Sequence, residues 1–131
     1  MKQLDGKIGV ITGAASGIGL ALTETFLAEG MKVVMADVDE NSLSKTASEL
    51  EAAGAEVLGV LCDVSDASSV EMLADATIKN FGIPHVLCNN AGVAPAGPIL
   101  DTTPEEWQWT VGVNLLGVAY GTKTFLSLIH I

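Results

Sequence analysis

Short apolar runs alternate with amphipathic stretches along the whole chain. Lys7–Thr12, KIGVIT, is apolar and β-branched and ends in a glycine-rich turn. Gly17–Glu29 places Ile18, Leu20, Ala21, Leu22, Phe26 and Leu27 at helical spacing, and Gly30 closes it, because glycine enters the left-handed conformation that stops a helix. Lys32–Ala36, KVVMA, is again apolar and leads into Asp37. Asn41–Ala53 carries Leu43, Ala47 and Leu50 on one helical face ahead of Gly54. Glu56–Cys62 predicts a third strand, and Ser65 or Asp66 caps a helix reaching to Asn80, before Gly82. His85–Cys88 predicts a fourth strand, followed by a loop holding Pro95 and Pro98. Thr103-Pro104-Glu105-Glu106 opens a last helix, with a Thr cap, Pro in first position and acids at the positive end of the helix dipole. Nothing in the sequence stops that helix before the chain ends. Strand and helix alternate throughout, with short links. Right-handed crossovers place such strands in one doubly wound parallel sheet of an α/β fold, with helices on both faces.

Composition agrees with strands buried on both faces. Of 131 residues, 49% are hydrophobic, and mean hydropathy is +0.45. No apolar run approaches the roughly 20 residues of a membrane span, and MKQLDGKIGVITG shows no apolar leader. No membrane partner is expected. The net charge is −10, and the six Lys and Arg are scattered. They form no stripe that could track phosphates, so no nucleic-acid partner is expected. Cys62 and Cys88 have neither CxxC nor metal-ligand spacing. They read as small core residues in a reducing cytoplasm, and no metal site is expected.

Candidate chemistry gathers where strands end. Thr12-Gly13-Ala14-Ala15-Ser16-Gly17-Ile18-Gly19 links the first strand to the first helix. A diphosphate needs backbone N–H groups, a clear approach and the positive end of a helix. Gly13 permits the tight turn, Gly17 the approach of phosphates, and Gly19 the packing of helix on strand. Asp37 ends the second strand, where an acid accepts both hydroxyls of an adenosine ribose and repels a 2′-phosphate. Ala36 and Val38 beside it are neutral, and no Lys or Arg lies between Thr12 and Glu29, which favours NAD over NADP. Asp63-Val64 follows the third strand, where a carboxylate and a backbone N–H can read an adenine edge or cap a helix. Asn89-Asn90-Ala91-Gly92 follows the fourth. Two amides in an apolar region must find partners, and can tie neighbouring strand ends together, while Ala91-Gly92 leaves room for a ribose.

These motifs, TGAASGIG, CDV, NNAG and VNLLG, resemble the short-chain dehydrogenase/reductase family in order and spacing, over Lys7 to Leu126. The T-G-x-x-x-G-x-G spacing is similar to the shorter, single-domain branch. The resemblance implies a Rossmann-type sheet, truncated here at four strands, with residues 1–131 as the N-terminal half of an NAD(P)-binding domain. It implies that Gly13, Ser16, Ile18 and Gly19 contact the dinucleotide, Asp37 the adenosine ribose, and Asp63 and Val64 the adenine. By the same resemblance Asn90, Ala91 and Gly92 line the ribose path, and the Asn114 carbonyl holds a water in the proton relay. The implied activity is hydride transfer between a nicotinamide and a small alcohol or carbonyl compound, in a parent protein expected to be a homo-oligomer.

That family's catalytic Ser, Tyr and Lys are not matched. Its Tyr precedes its Lys by four residues, whereas Tyr120 precedes Lys123 by three, on the same helix as Asn114. A phenol of pKa about 10 needs a nearby positive charge to work at neutral pH. Tyr120 and Lys123 are therefore expected to be ordinary helix residues. Neither His85 nor His130 lies near the carboxyl end of a predicted strand, so they are not candidates, and Trp107 and Trp109 are expected to serve packing or an interface. The closing LSLIHI equals the translation of ctg-tct-ctt-ata-cac-atc, a transposase end used in sequencing libraries, so native residues are expected to run to about Phe125. The isolated chain is expected to be inactive, and its fourth strand to form an aggregation-prone edge. A non-catalytic nucleotide-binding or regulatory module is the alternative. A methyltransferase would keep the glycine loop and the acid but leaves NNAG and Asn114 without a role.

Overall fold

A computed structural model describes residues 3–129. The four apolar runs form β1 (Ile8–Thr12), β2 (Lys32–Asp37), β3 (Val57–Leu61) and β4 (Val86–Cys88). They join in one parallel sheet of order β3-β2-β1-β4. The register sets Thr12 beside Ala36, Asp37 beside Leu61, and Ile11 beside Cys88. All four strand C-termini therefore lie along one edge of the sheet.

Side chains alternate across the sheet with a period of two. Val10, Val34 and Ala36 face one way and meet Cys62, Val70, Leu73 and Phe125. Ile11, Val33 and Met35 face the other and meet Leu43, Leu20 and Phe26. The helices that cover these faces are α1 (Gly17–Ala28), α2 (Glu40–Ala52), α3 (Ala67–Asn80), α4 (Pro104–Val111) and α5 (Gly117–Leu126). Asp39 caps α2 by accepting from the Ser42 N–H at 3.1 Å, which starts that helix one residue before the expected Asn41. Asp66, not Ser65, caps α3 by accepting from the Ser68 N–H. Gly30, Gly54 and Gly82, after α1 to α3, take φ of 78°, 94° and 106°, the conformation the sequence required of them.

The final helix departs from expectation. It is not one α-helix running to the chain end. A π turn, Gly112–Leu116, separates α4 from α5, and α5 ends at Leu126. The N–H groups of Leu128 and Ile129 both turn back to the Phe125 carbonyl. Gly112, Gly117 and Gly121 are all buried on the inner face. A Cβ at Gly117 would stand 2.8 Å from Val64 Cγ2, and one at Gly121 would run into Asn89 Oδ1. The glycine spacing of five and then four fits one face only because the π turn absorbs the extra residue. A short 3₁₀ turn, Ile99–Asp101, also precedes α4. Among the described residues, no helix is long and apolar enough to cross a membrane.

Candidate functional site

The strand ends open into a cleft of about 480 Å³ lined by Gly13, Ser16, Gly17, Ile18, Asp37, Asp63, Val64, Asn90, Ala91 and Gly92. Gly19 and Asn114 are not on its wall. Gly19 is buried beneath the loop, where a Cβ would collide with the Gly13 carbonyl and stand 2.7 Å from Asn90 Nδ2. The glycine therefore lets the start of α1 sit directly against the residue that follows β1. Gly13, at φ 65°, lies under Ala91, and its Cβ would come within 2.9 Å of the Ala91 Cα. Gly17, at φ 55°, would direct a Cβ into open space. Ser16 precedes α1 with extended backbone, and its side chain makes no capping bond. The first turn of α1 also contains no acid, so its positive end is not neutralised by a neighbouring carboxylate.

Asp37 is held at both oxygens. Oδ2 accepts from the Ala15 N–H at 2.9 Å and Oδ1 from the Asp39 N–H at 3.0 Å. The acid thus ties the glycine loop to the end of β2. A carboxylate has about four acceptor positions, so each oxygen can take one more donor. Asp63 Oδ1 accepts from the Ser65 N–H and hydroxyl, at 3.0 and 2.6 Å, in a local turn. The Asp63 N–H donates to Ser69 Oγ, so a free backbone donor at this strand end must come from Val64.

The two asparagines divide their work. Asn90 Nδ2 donates to the carbonyls of Thr12 and Gly13, at 3.0 and 3.2 Å, and joins the ends of β4 and β1. Thr12 Oγ1 accepts from the N–H groups of Asn90 and Ala91 and donates to the Cys88 carbonyl. Asn89 does not tie strand ends, since its amide donates to Thr122 Oγ1 of α5 at 3.3 Å. Asn114 grips the loop behind the cleft wall: Oδ1 accepts from the Val93 N–H at 2.8 Å, and Nδ2 donates to the Val93 carbonyl at 2.7 Å. It lies in the π turn.

Sequence reasoning missed several wall residues: Val38, Cys62, Ser65, Val93, Trp109 and Val113. Cys62 and Val38 were legible as neighbours of strand ends. Trp109 and Val113 were not, because their place depends on how α4 and the π turn meet the turn after β3. Trp109, assigned to packing or an interface, stands at the cleft. Burial raises the Cys62 thiol pKa, and its Sγ donates to the Ser69 carbonyl. Burial also raises the Cys88 thiol. Both are free thiols. Tyr120 packs against the core with Phe125 and α3 and does not line the cleft. His85 sits at the opposite end of the sheet, where its Nδ1 accepts from the Ile8 N–H at 3.1 Å. His130 lies outside the described residues. Among the described residues, no cluster of His, Cys, Asp or Glu suits a metal ion.

The same combination occurs in known proteins. A family model described as short chain dehydrogenase matches residues 7–130. A dehydrogenase/reductase of CLA biosynthesis from Lactiplantibacillus plantarum is 36% identical over 128 residues, covering 98% of this chain and 45% of that protein. A D-threitol dehydrogenase from Mycolicibacterium smegmatis is 36% identical over 115 residues, covering 88% of this chain and 44% of the relative. A short-chain dehydrogenase/reductase from Burkholderia phymatum, solved in complex with NAD, superposes with a TM-score of 0.94 at 48% identity. That match covers 98% of this chain and 46% of the solved one. This chain therefore spans less than half the length of each of these relatives. The matched family model, the parallel sheet and the glycine loop at its edge agree: the chain belongs to the short-chain dehydrogenase family.

Proposed function

We propose that this chain is the dinucleotide-holding half of an NAD(H)-dependent oxidoreductase acting on a small alcohol or carbonyl compound. The observation that carries the reading is one cleft joining the uncapped start of α1 to the Asp37 carboxylate, with no Lys or Arg among its lining residues. The residues fit the cofactor. The open space at Gly17 leaves a path that a side chain would fill, and the free end of α1 offers N–H donors to a diphosphate. When bound, the nicotinamide gives or takes a hydride.

The chain's own residues bind and orient. Gly13, Ser16, Gly17 and Ile18 face the diphosphate, and Gly19 keeps the loop low enough to allow it. Asp37 already accepts two backbone N–H groups, and its remaining acceptor positions suit two ribose hydroxyls. A 2′-phosphate would meet this anion with no cation beside it. Asp63 and Val64 face the base, and Asn90, Ala91 and Gly92 the ribose path. Asn114 holds the Val93 loop, and its backbone carbonyl would accept from a relay water. In this reading the proton-transferring Ser, Tyr and Lys belong to the parent protein outside this chain. The likeness to a relative solved with NAD supports the cofactor.

Calorimetric titration of the 131-residue chain with NAD and NADP tests this. NAD is expected to bind at least about tenfold more tightly, the equivalent of about 1.4 kcal/mol. Equal or tighter binding of NADP would overturn the Asp37 assignment.

A further inference from the structure

We infer that Trp109 is the wall on which the base end of the bound dinucleotide packs, and that it selects a planar heteroaromatic base there. The inference rests on the NAD reading above. Trp109 and Val113 both line the cleft, one helical turn apart, so they present the same face of their helix. Val113 is 9% exposed and belongs to the core cluster that contains Val64. The neighbouring Gly112 meets Ser65, whose Cβ would lie 3.4 Å from an added Cβ. This helix face therefore abuts the Asp63–Ser65 turn at the end of β3. Trp109 continues that face outward and is 48% exposed at the cleft.

A large indole half in water beside a concave wall is poorly covered by the protein itself. Val38 and Ile18 line the same cleft and are 67% and 75% exposed. A flat apolar ring with polar edges covers such a lining, while Asp63 and Val64 supply an acceptor and a donor for its edge. Trp107 is exposed to the same degree, 47%, but does not line the cleft. It is the internal control. Packing of a base on an aromatic side chain corresponds to roughly 5- to 150-fold in affinity.

The experiment uses the whole chain with AMP, ADP-ribose and nicotinamide mononucleotide as probes. Trp109→Leu is expected to weaken AMP and ADP-ribose by about tenfold or more and to leave nicotinamide mononucleotide unchanged. Trp109→Phe should restore most of the loss, and Trp107→Leu should change neither. If Trp109→Leu binds AMP as tightly as the parent sequence, or if all three probes weaken alike, the inference fails. A second measurement does not require the Leu variant to fold. Trp107→Phe leaves Trp109 as the sole tryptophan, and saturating AMP should quench or shift its emission. A spectrum unmoved by bound AMP overturns the inference while sparing the NAD reading. Failure of the parent chain to bind ADP-ribose at all would overturn the NAD reading itself.

Discussion

Two glycines at the start of α1 are needed for different reasons. Gly17 has room for a Cβ but takes φ 55°, whereas Gly19 lies in a helix with no room at all. Gly17→Ala should cost about 1 kcal/mol, the cost of a side chain in left-handed backbone. Gly19→Ala should cost about 3 kcal/mol, because the methyl must displace the Gly13 carbonyl and the Asn90 amide that bonds it. Urea unfolding followed by circular dichroism compares the two, and equal losses would refute the steric account. The glycine pattern was readable in the sequence, but the obstacle at Gly19 was not. It is made by residues from the first loop and from the end of β4, far apart along the chain. The same holds for Asp37. Its place after a strand was legible, while its bond to the Ala15 N–H exists only once loop and strand meet.

The elements were readable wherever a local interaction defines them. Thr103 and Glu106 form a reciprocal cap: Glu106 Oε2 accepts from the Thr103 N–H at 2.8 Å, and Thr103 Oγ1 accepts from the Glu106 N–H at 3.2 Å. Thr103→Ala should lower stability by about 1 kcal/mol, and Thr103→Ser should recover most of it in thermal melts. A Ser variant as weak as the Ala variant would show that the methyl, not the hydroxyl, matters. The π turn shows where local reading stops. A helix-forming stretch does not reveal an extra residue in one turn. The signal was present in Gly112, Gly117 and Gly121, whose uneven spacing makes sense only against the turn after β3 and Asn89.

At the scale of the molecule, one end of the sheet carries the cleft and the other carries His85. The His85 N–H donates to the Ile8 carbonyl while its Nδ1 accepts from the Ile8 N–H. Partial desolvation of this largely exposed ring, helped by the charge of Lys7, holds its pKa below the ordinary 6.5. The fold therefore favours the neutral ring, and the unfolded chain binds the proton more readily. Stability from this group is full above the unfolded pKa and falls as pH drops below about 6.5. Protonated Nδ1 would also confront the Ile8 N–H. Urea midpoints should decline from pH 7.5 to pH 5.5. His85→Asn, which keeps an acceptor without titrating, should flatten that decline. An unchanged slope in the variant would assign the effect to other groups.

By itself the sequence determined the alternation of strands and helices, the parallel sheet, the glycine stops after α1 to α3 and the family. These follow from periodicity, caps and short motifs, which act over a few residues. Only the tertiary structure decided what Gly19 avoids, which partner each asparagine takes, why the last helix carries a π turn, and that Trp109 stands at the cleft. Each depends on the angle and depth at which a helix meets the sheet. Those are set by packing between residues distant in the chain, which local pattern does not encode.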